Sequence, residues 1–354
     1  MSIVLSGTGL YTPPHKISND ELVGAFNQYV TEFNQENSAA IDAGELEALK
    51  PSSSEFITKA SGIENRYVMT KEGILDTKKM MPLTPQRSND EVSIQAEMAI
   101  GAAKKALSAA NKKPEDIDLI IVACSYTQRA YPAIAIEVQQ QLGCDGWAFD
   151  MLVACSSATF GIMNASNAVE SGTAKCVLVI SPEIASPQIN YRDRDSHFIF
   201  GDVATAVVVE KEETASSEHA FRILAKKPMT SFSNNIRSNF GHLARHTPEE
   251  AFEGDKLFVQ QGRKVFKEVL PMVSKLIDEQ MSLAGIEKDD LKRLFLHQAN
   301  INMNTFIAKK VLGRDPIGND APIILNEFAN TASAGSIIAF HRFHDDMVAG
   351  DKGI

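Results

Sequence analysis

Apolar positions along the chain follow two rhythms. Residues 91–110, "EVSIQAEMAIGAAKKALSAA", and 262–284, "GRKVFKEVLPMVSKLIDEQMSLA", carry apolar side chains at helical spacing. Residues 114–124, "PEDIDLIIVAC", and 288–298, "KDDLKRLFLHQ", follow them, and each passes from an acidic turn into a β-rich apolar run. The order helix, acidic turn, strand therefore occurs twice. A shift of 174 residues places Ile117 on Leu291, Ile120 on Leu294 and Ala123 on His297.

With one residue of slippage the same shift lays "FDMLVACSSATFGI" on "ILNEFANTASAGSI" and Cys155 on Asn330. In both copies an apolar run ends on a polar, chemically capable residue, and small residues then open a helix. Ser156 and Thr331 are the expected cap or first-turn residues. The pattern predicts an α/β protein of two similar halves, residues 1–212 carrying Cys155 and residues 213–354 carrying His297 and Asn330. Chance alignment of alternating α and β segments is the competing explanation. The strands "CVLVISPE" and "VATAVVVE" complete the first half, and "KEETASSEHA" reads as the connection between halves. Residues 26–55 and 71–90 are polar or irregular and read as surface excursions rather than core.

Composition narrows the function. The 354 residues are 44% hydrophobic and 23% charged, which is ordinary for a soluble globular protein. No apolar run reaches the roughly 18 residues of a membrane span, and no leader pattern opens the chain, so a cytoplasmic location is expected. A net charge of −10 argues against nonspecific nucleic-acid binding. The four cysteines, Cys124, Cys144, Cys155 and Cys176, have neither zinc-ligand nor disulfide-framework spacing and read as free thiols. His242 with His246, and His341 with His344, are near helical spacing but lack a third ligand, so no metal site is expected.

A buried cysteine is most often packing material, and Cys124 and Cys176 fit that description. Cys155 differs because it stands between a strand and a helix. There the unpaired N–H groups of the helix start favour a thiolate, the form that attacks carbonyl carbon.

With Cys155, His297 and Asn330 assembled, the chain resembles the β-ketoacyl-acyl carrier protein synthase III family of the thiolase superfamily. The similarity runs through "GTGLYTPPHKISNDEL", "SGIENRYV", "AYPAIAIEVQQQLG", "ACSSATFG", "FGDVATAVV", "LHQANINMNTFIAKKVLG" and "ANTASAGSI". It implies a five-layered αβαβα thiolase-like fold, a homodimer, and a Cys155, His297, Asn330 triad. It also implies an acyl group taken from acyl-coenzyme A by Cys155 and condensed with malonyl-acyl carrier protein with loss of carbon dioxide. The product would be a 3-oxoacyl-acyl carrier protein of fatty acid biosynthesis, and no cofactor is implied beyond the coenzyme A thioester substrate. By position, Phe56 and Arg194 resemble the pair bracketing the adenine, and Gly262, Phe266 and Asn300 the pantetheine channel. Phe200 resembles the border of the acyl pocket, and Tyr131 the residue that closes the partner's pocket. Lys309, Lys310 and Arg314, with Arg263, Lys264 and Lys267, form either a patch for an acidic carrier protein or an ordinary solvated face. Alternative readings keep the fold with another acceptor, as in head-to-head acyl condensation or secondary metabolism, or make the chain a noncatalytic acyl-binding protein.

Three features depart from the family. Ala329 stands where relatives commonly have glycine, and the 26–55 and 71–90 segments are long, suggesting a medium or long acyl donor. The second half ends at "DKGI", where its first closing strand is expected to begin, so the sequence predicts a missing glycine-rich segment and oxyanion donor.

Overall fold

The computed structural model describes residues 2–238 and 257–354; His242 and His246 lie outside these. Twelve strands are formed among the described residues: β1 (Ile3–Tyr11), β2 (His15–Ser18), β3 (Asn65–Val68), β4 (Leu119–Cys124), β5 (Trp147–Leu152) and β6 (Cys176–Glu183), then β7 (Val203–Lys211), β8 (Phe221–Arg222), β9 (Ile236–Ser238), β10 (Phe258–Gln260), β11 (Leu291–Arg293) and β12 (Lys352–Gly353). The helices are α1 (Asn19–Glu36), α2 (Ser38–Asp42), α3 (Ser54–Ser61), α4 (Ile94–Ala109) and α5 (Ile134–Leu142), then α6 (Ser157–Glu170), α7 (Gly262–Ala284), α8 (Ile301–Leu312), α9 (Leu325–Phe328) and α10 (Ala334–Phe343).

A six-stranded sheet in the order β5-β4-β6-β7-β1-β8 forms the centre of the first half. β4 runs parallel to β5 and β6, while β7 is antiparallel to both β6 and β1. Side chains alternate across such a sheet. Ile120, Val122, Leu178, Ile180, Ala206 and Val208 pack on one face with α4 and α5. Ile121, Ala123, Val177, Val179, Val207 and Val209 pack on the other with α6 and with Ile337 of α10. Both faces are covered, which is why these strands read as unbroken apolar runs. The alanine-rich face of α4 lies so close to β1 that a Cβ on Gly9 would fall 2.1 Å from the Ala102 carbonyl oxygen.

Beyond α6 and α10, Phe295 packs toward α10, while Leu291, Leu294 and Leu296 pack with α7 and α8. The succession is α4 and α5, the large sheet, α6 and α10, the β11 layer, then α7 and α8. The repeat is visible in local geometry. Pro114–Asp116 and Lys288–Asp290 form equivalent 3-10 turns, each closed by an aspartate accepting from the backbone N–H of the residue before the turn, Asp116 from Lys113 at 2.8 Å and Asp290 from Glu287 at 3.2 Å. Gly161 of α6 abuts Ala123 of β4, and Gly335 of α10 abuts Gln298 beyond β11, so each helix lets the segment beside it approach where a Cβ would collide.

Several expectations need correction. Residues 26–55 and 71–90 are not wholly superficial: Phe26, Val30, Ile74 and Met80 are buried in the cluster that contains Phe198, Phe200 and Ala329. Phe26 stacks on the buried His197 ring at 4.5 Å. The run leading to Asn330 is not a strand, since Leu325–Phe328 is one helical turn. One expectation agrees with the structure: a strand begins at "DKGI", where β12 pairs in parallel with β11 and the Phe295 N–H donates to the Ile354 carbonyl at 2.7 Å. Among the described residues no helix is long and apolar enough to cross a membrane, and no cluster of three His, Cys, Asp or Glu could hold a metal ion. His341 bonds Thr8 at 2.7 Å and His344 packs against Phe221 and Phe340, both structural roles.

Candidate active site

β5 ends in a 3-10 turn, Ala154–Ser156, that presents Cys155 before α6 begins at Ser157. Ala154 takes φ +46°, a left-handed conformation that a Cβ disfavours. Ser157 pins the corner: its Oγ accepts from the Val153 N–H at 2.8 Å and lies 2.9 Å from the Cys124 carbonyl. In the other half Ala329, directly before Asn330, is also left-handed, at φ +59° and ψ −160°. Cys155 and Asn330 thus occupy matching strained corners. Neither Ser156 nor Thr331 makes the expected capping bond; α10 starts after Ser333, whose hydroxyl is otherwise engaged.

The backbone of Asn330 is locked into the first half: its N–H donates to Ile199 at 3.1 Å, and its carbonyl accepts from Gly201 at 3.1 Å. Its Oδ1 accepts from the Ala332 N–H at 2.9 Å, which fixes the carboxamide and leaves its N–H groups as donors. The His297 ring is held against the backbone of the same Ala332, itself at φ +46°. The neighbour Gln298 is fully buried and ties this segment to the approach to α9, donating to Leu296 and Pro322 and accepting from the Ile324 N–H at 3.1 Å.

Burial drives both reactive groups to their neutral forms. Desolvation lowers the His297 pKa to about 4, opposed by the Ala332 backbone. Part of Cys155 is accessible, yet its thiol lies deep, and desolvation raises its pKa to about 12, with the charge of Glu183 adding to the effect. Burial and the Glu183 charge thus work against the thiolate that the helix start was expected to favour. A neutral imidazole carries one lone pair and one N–H: with its N–H on the Ala332 backbone the free nitrogen can take the thiol proton as sulfur attacks, and in the other tautomer that nitrogen can donate to a developing oxyanion.

The site arrangement yields a stability prediction. Backbone strain of this kind costs about 1–3 kcal/mol, and glycine relieves it at a smaller entropic cost. Ala329→Gly is expected to stabilise the protein by about 1 kcal/mol, seen in a chain of 354 residues as a Tm rise of about 1–2 °C. An unchanged or lower Tm would contradict the strain.

The remaining candidates fare unequally. Phe56 and Arg194 do meet, but on each other: the guanidinium carbon lies 4.2 Å from the ring centroid, and the Arg194 Nε–H donates to the Pro51 carbonyl at 2.8 Å. A base between them would need about 7–8 Å, two van der Waals contacts, so this pair brackets nothing until Arg194 moves. Phe200 is buried, forms an isolated parallel bridge with Asn330 and meets Phe258 edge-on at 4.8 Å. Asn300 caps α8, accepting from Asn302 and donating to the Ala60 carbonyl at 2.6 Å, so its amide is committed to structure. Gly262 opens α7 with open space at its Cα, and Phe266 packs on the α7 and α8 core. Tyr131 is 87% exposed. Lys309 and Arg314 pair with Asp315 and Asp320 at 2.8 and 2.6 Å, while Lys310, Arg263, Lys264 and Lys267 are exposed. The sequence reading overlooked Glu183, a buried carboxylate beside Cys155 whose only trace is an acid closing the apolar run "CVLVISPE".

Comparison with known proteins places this geometry. The family described as 3-oxoacyl-[acyl-carrier-protein] synthase III matches residues 149–226, and its C-terminal part matches residues 281–353. The β-ketodecanoyl-[acyl-carrier-protein] synthase of Pseudomonas aeruginosa is 54% identical over 330 residues, 93% of this chain and 94% of that protein. The β-ketoacyl-[acyl-carrier-protein] synthase III of a Chelativorans species is 31% identical, covering 83% of this chain and 82% of the relative. The crystal structure of the Aquifex aeolicus 3-oxoacyl-[acyl-carrier-protein] synthase III superposes with a TM-score of 0.75 at 25% identity, over 100% of this chain and 94% of that one. The chain belongs to the β-ketoacyl-acyl carrier protein synthase III family, the thiolase-fold condensing acyltransferases of fatty acid biosynthesis.

Proposed function

We propose that the chain joins an acyl group from acyl-coenzyme A to malonyl-acyl carrier protein, with Cys155, His297 and Asn330 as catalytic residues. The observation that carries this reading is the pair of matching strained corners, which set Cys155 and Asn330 at equivalent places while His297 and Asn330 share Ala332. In the first half-reaction the Cys155 sulfur bonds the acyl carbonyl carbon, and its proton passes by way of His297 to the departing coenzyme A thiolate. In the second, the malonyl thioester loses carbon dioxide, and its electron pair becomes an enolate whose oxygen accepts from His297 and Asn330. The enolate carbon then bonds the acyl carbon, and the Cys155 sulfur leaves as thiolate and takes back a proton from solvent, the one proton the decarboxylative condensation consumes. Hydrogen-bond donors aimed at such an oxyanion are worth about 3–4 kcal/mol each. No cofactor takes part.

The name of the Pseudomonas relative indicates a ten-carbon 3-oxo product. Condensation adds two carbons, so the donor for this chain is an eight-carbon acyl-coenzyme A. We place the enzyme in the cytoplasm, divide it near residue 212 and take it as a homodimer. Supporting the dimer, the edge strand β5 and the nearby loop expose Tyr126, Tyr131, Trp147, Phe149 and Leu152, an apolar margin that pairing with a second copy would cover.

The test is a series of acyl-coenzyme A donors of two to sixteen carbons, each with malonyl-acyl carrier protein and product identification by mass. The octanoyl donor is expected to give the 3-oxodecanoyl product at a rate at least tenfold above the acetyl donor. Preference for the acetyl donor would overturn the chain-length assignment, and no condensation with any donor would overturn the function.

A further inference from the structure

Glu183 is the last residue of β6, and its side chain is completely buried. No cation bonds it. Instead it faces hydrogen-bond donors from two places far apart in sequence. The Ser125 N–H, just past β4, reaches both carboxylate oxygens at 3.0 and 3.1 Å, and the Ser125 hydroxyl donates to Oε2 at 2.5 Å. From the other half, the Ser333 N–H donates to Oε1 at 3.2 Å, joined by the Ser333 hydroxyl.

The two anchored segments are those that carry the chemistry. Ser125 follows the strand paired with β5, which leads to Cys155. Ser333 adjoins Ala332, the left-handed residue whose N–H holds the Asn330 carboxamide and whose backbone meets His297. The turn is flanked by Ala329 at φ +59° and contains Ala332 at φ +46°; the Ile199 and Gly201 bonds hold its Asn330 end, and the strained Ala332 end needs a further hold to over-determine it. We propose that Glu183 is a positioning residue of the condensation, its carboxylate fixing the Asn330–Ser333 turn against the end of β4 so that both enolate donors stay in register with the acylated cysteine.

This rests on the catalytic reading above and adds to it a residue that touches no substrate. The all-acceptor character of the carboxylate is what the position requires. A glutamine of the same shape would turn an amide N–H₂ toward a backbone N–H on one side or the other, because backbone donors approach both oxygens. The same charge also bears on the thiol, since Glu183 acts with burial to keep Cys155 protonated.

The experiment separates the half-reactions in the intact enzyme. Octanoyl loading on Cys155 is followed by mass, and carbon dioxide release from malonyl-acyl carrier protein gives kcat and KM for the second step. Glu183→Gln is expected to lower that kcat by about 10–100-fold, with KM within twofold and loading within threefold of wild type. Iodoacetamide alkylation of Cys155, mapped by peptide mass, is expected to shift its pH midpoint downward in the same variant. A kcat within twofold of wild type overturns the proposal, as does an equal fall in loading and decarboxylation with no shift of the alkylation midpoint. Ser333→Ala keeps the carboxylate and guards against misfolding of the first variant; it should lower the decarboxylation kcat about fivefold, and a wild-type kcat there also overturns the proposal. Activity that survives in Cys155→Ser would instead remove the catalytic reading itself, so the two failures are distinct.

Discussion

Cys155→Ser is expected to abolish condensation, lowering turnover by about 10⁴-fold or more, while Tm stays within a few degrees of wild type. The hydroxyl is isosteric enough to keep the corner formed by Ala154 and Ser157, so folding is preserved. The chemistry is not. The wild-type thiol already has its pKa raised to about 12 by burial, and a serine hydroxyl is a still weaker acid facing a His297 whose pKa is lowered to about 4. Without a strong base, an alcohol has no route to the nucleophilic anion, whereas sulfur attacks effectively as its proton departs. Steady-state condensation and intact mass after incubation with octanoyl-coenzyme A check this: no product and no acyl adduct are expected. A turnover within a hundredfold of wild type would show that another group is the nucleophile.

The second large effect separates the two steps. Asn330→Ala and His297→Ala each remove a donor proposed for the enolate oxygen, and each is expected to lower decarboxylation of malonyl-acyl carrier protein by about 10²–10³-fold. The variants should differ in the first step. Asn330 has its Oδ1 committed to the Ala332 N–H and takes no proton, so Asn330→Ala should load octanoyl groups on Cys155 within tenfold of wild type. His297→Ala should load more slowly because the proton of Cys155 loses its carrier. The double variant is expected to be little worse in decarboxylation than the poorer single one, since the donors act on one oxygen as a unit. Decarboxylation that is normal in Asn330→Ala, with loading impaired, would reverse the assigned roles.

Much of this site could be read before any coordinates. The 174-residue shift identified Cys155 and Asn330 as counterparts, because a strand or turn that must deliver a polar group and then start a close-packed helix leaves a sequence trace of polar residue followed by small residues. The covered faces of β4, β6 and β7 likewise appear as continuous apolar runs. Other features left no trace. Leu325–Phe328 is apolar enough for a strand, yet the backbone forms a helical turn that carries Ala329 into its strained conformation. Phe26 and Ile74 sit in segments whose average polarity hides single anchors packed behind Phe198 and Phe200.

Electrostatics was the least legible part. The position of Cys155 before α6 suggests an acidic thiol, but depth and the nearby carboxylate of Glu183 reverse the shift. Neither depth nor that neighbour is encoded locally, since Glu183 is brought to Ser333 across 150 positions of sequence. The Phe56 and Arg194 contact teaches a related lesson: the family resemblance pointed to both residues, but the 4.2 Å stack shows them closed on one another.

Incubating the enzyme with octanoyl-coenzyme A alone, digesting it and locating the eight-carbon adduct by peptide mass interrogates the core of the account. Stoichiometric octanoylation of the peptide containing Cys155, discharged on adding malonyl-acyl carrier protein, is the outcome it requires. An adduct on Cys124, Cys144 or Cys176 that turns over, or product formation with Cys155 never acylated, would contradict it.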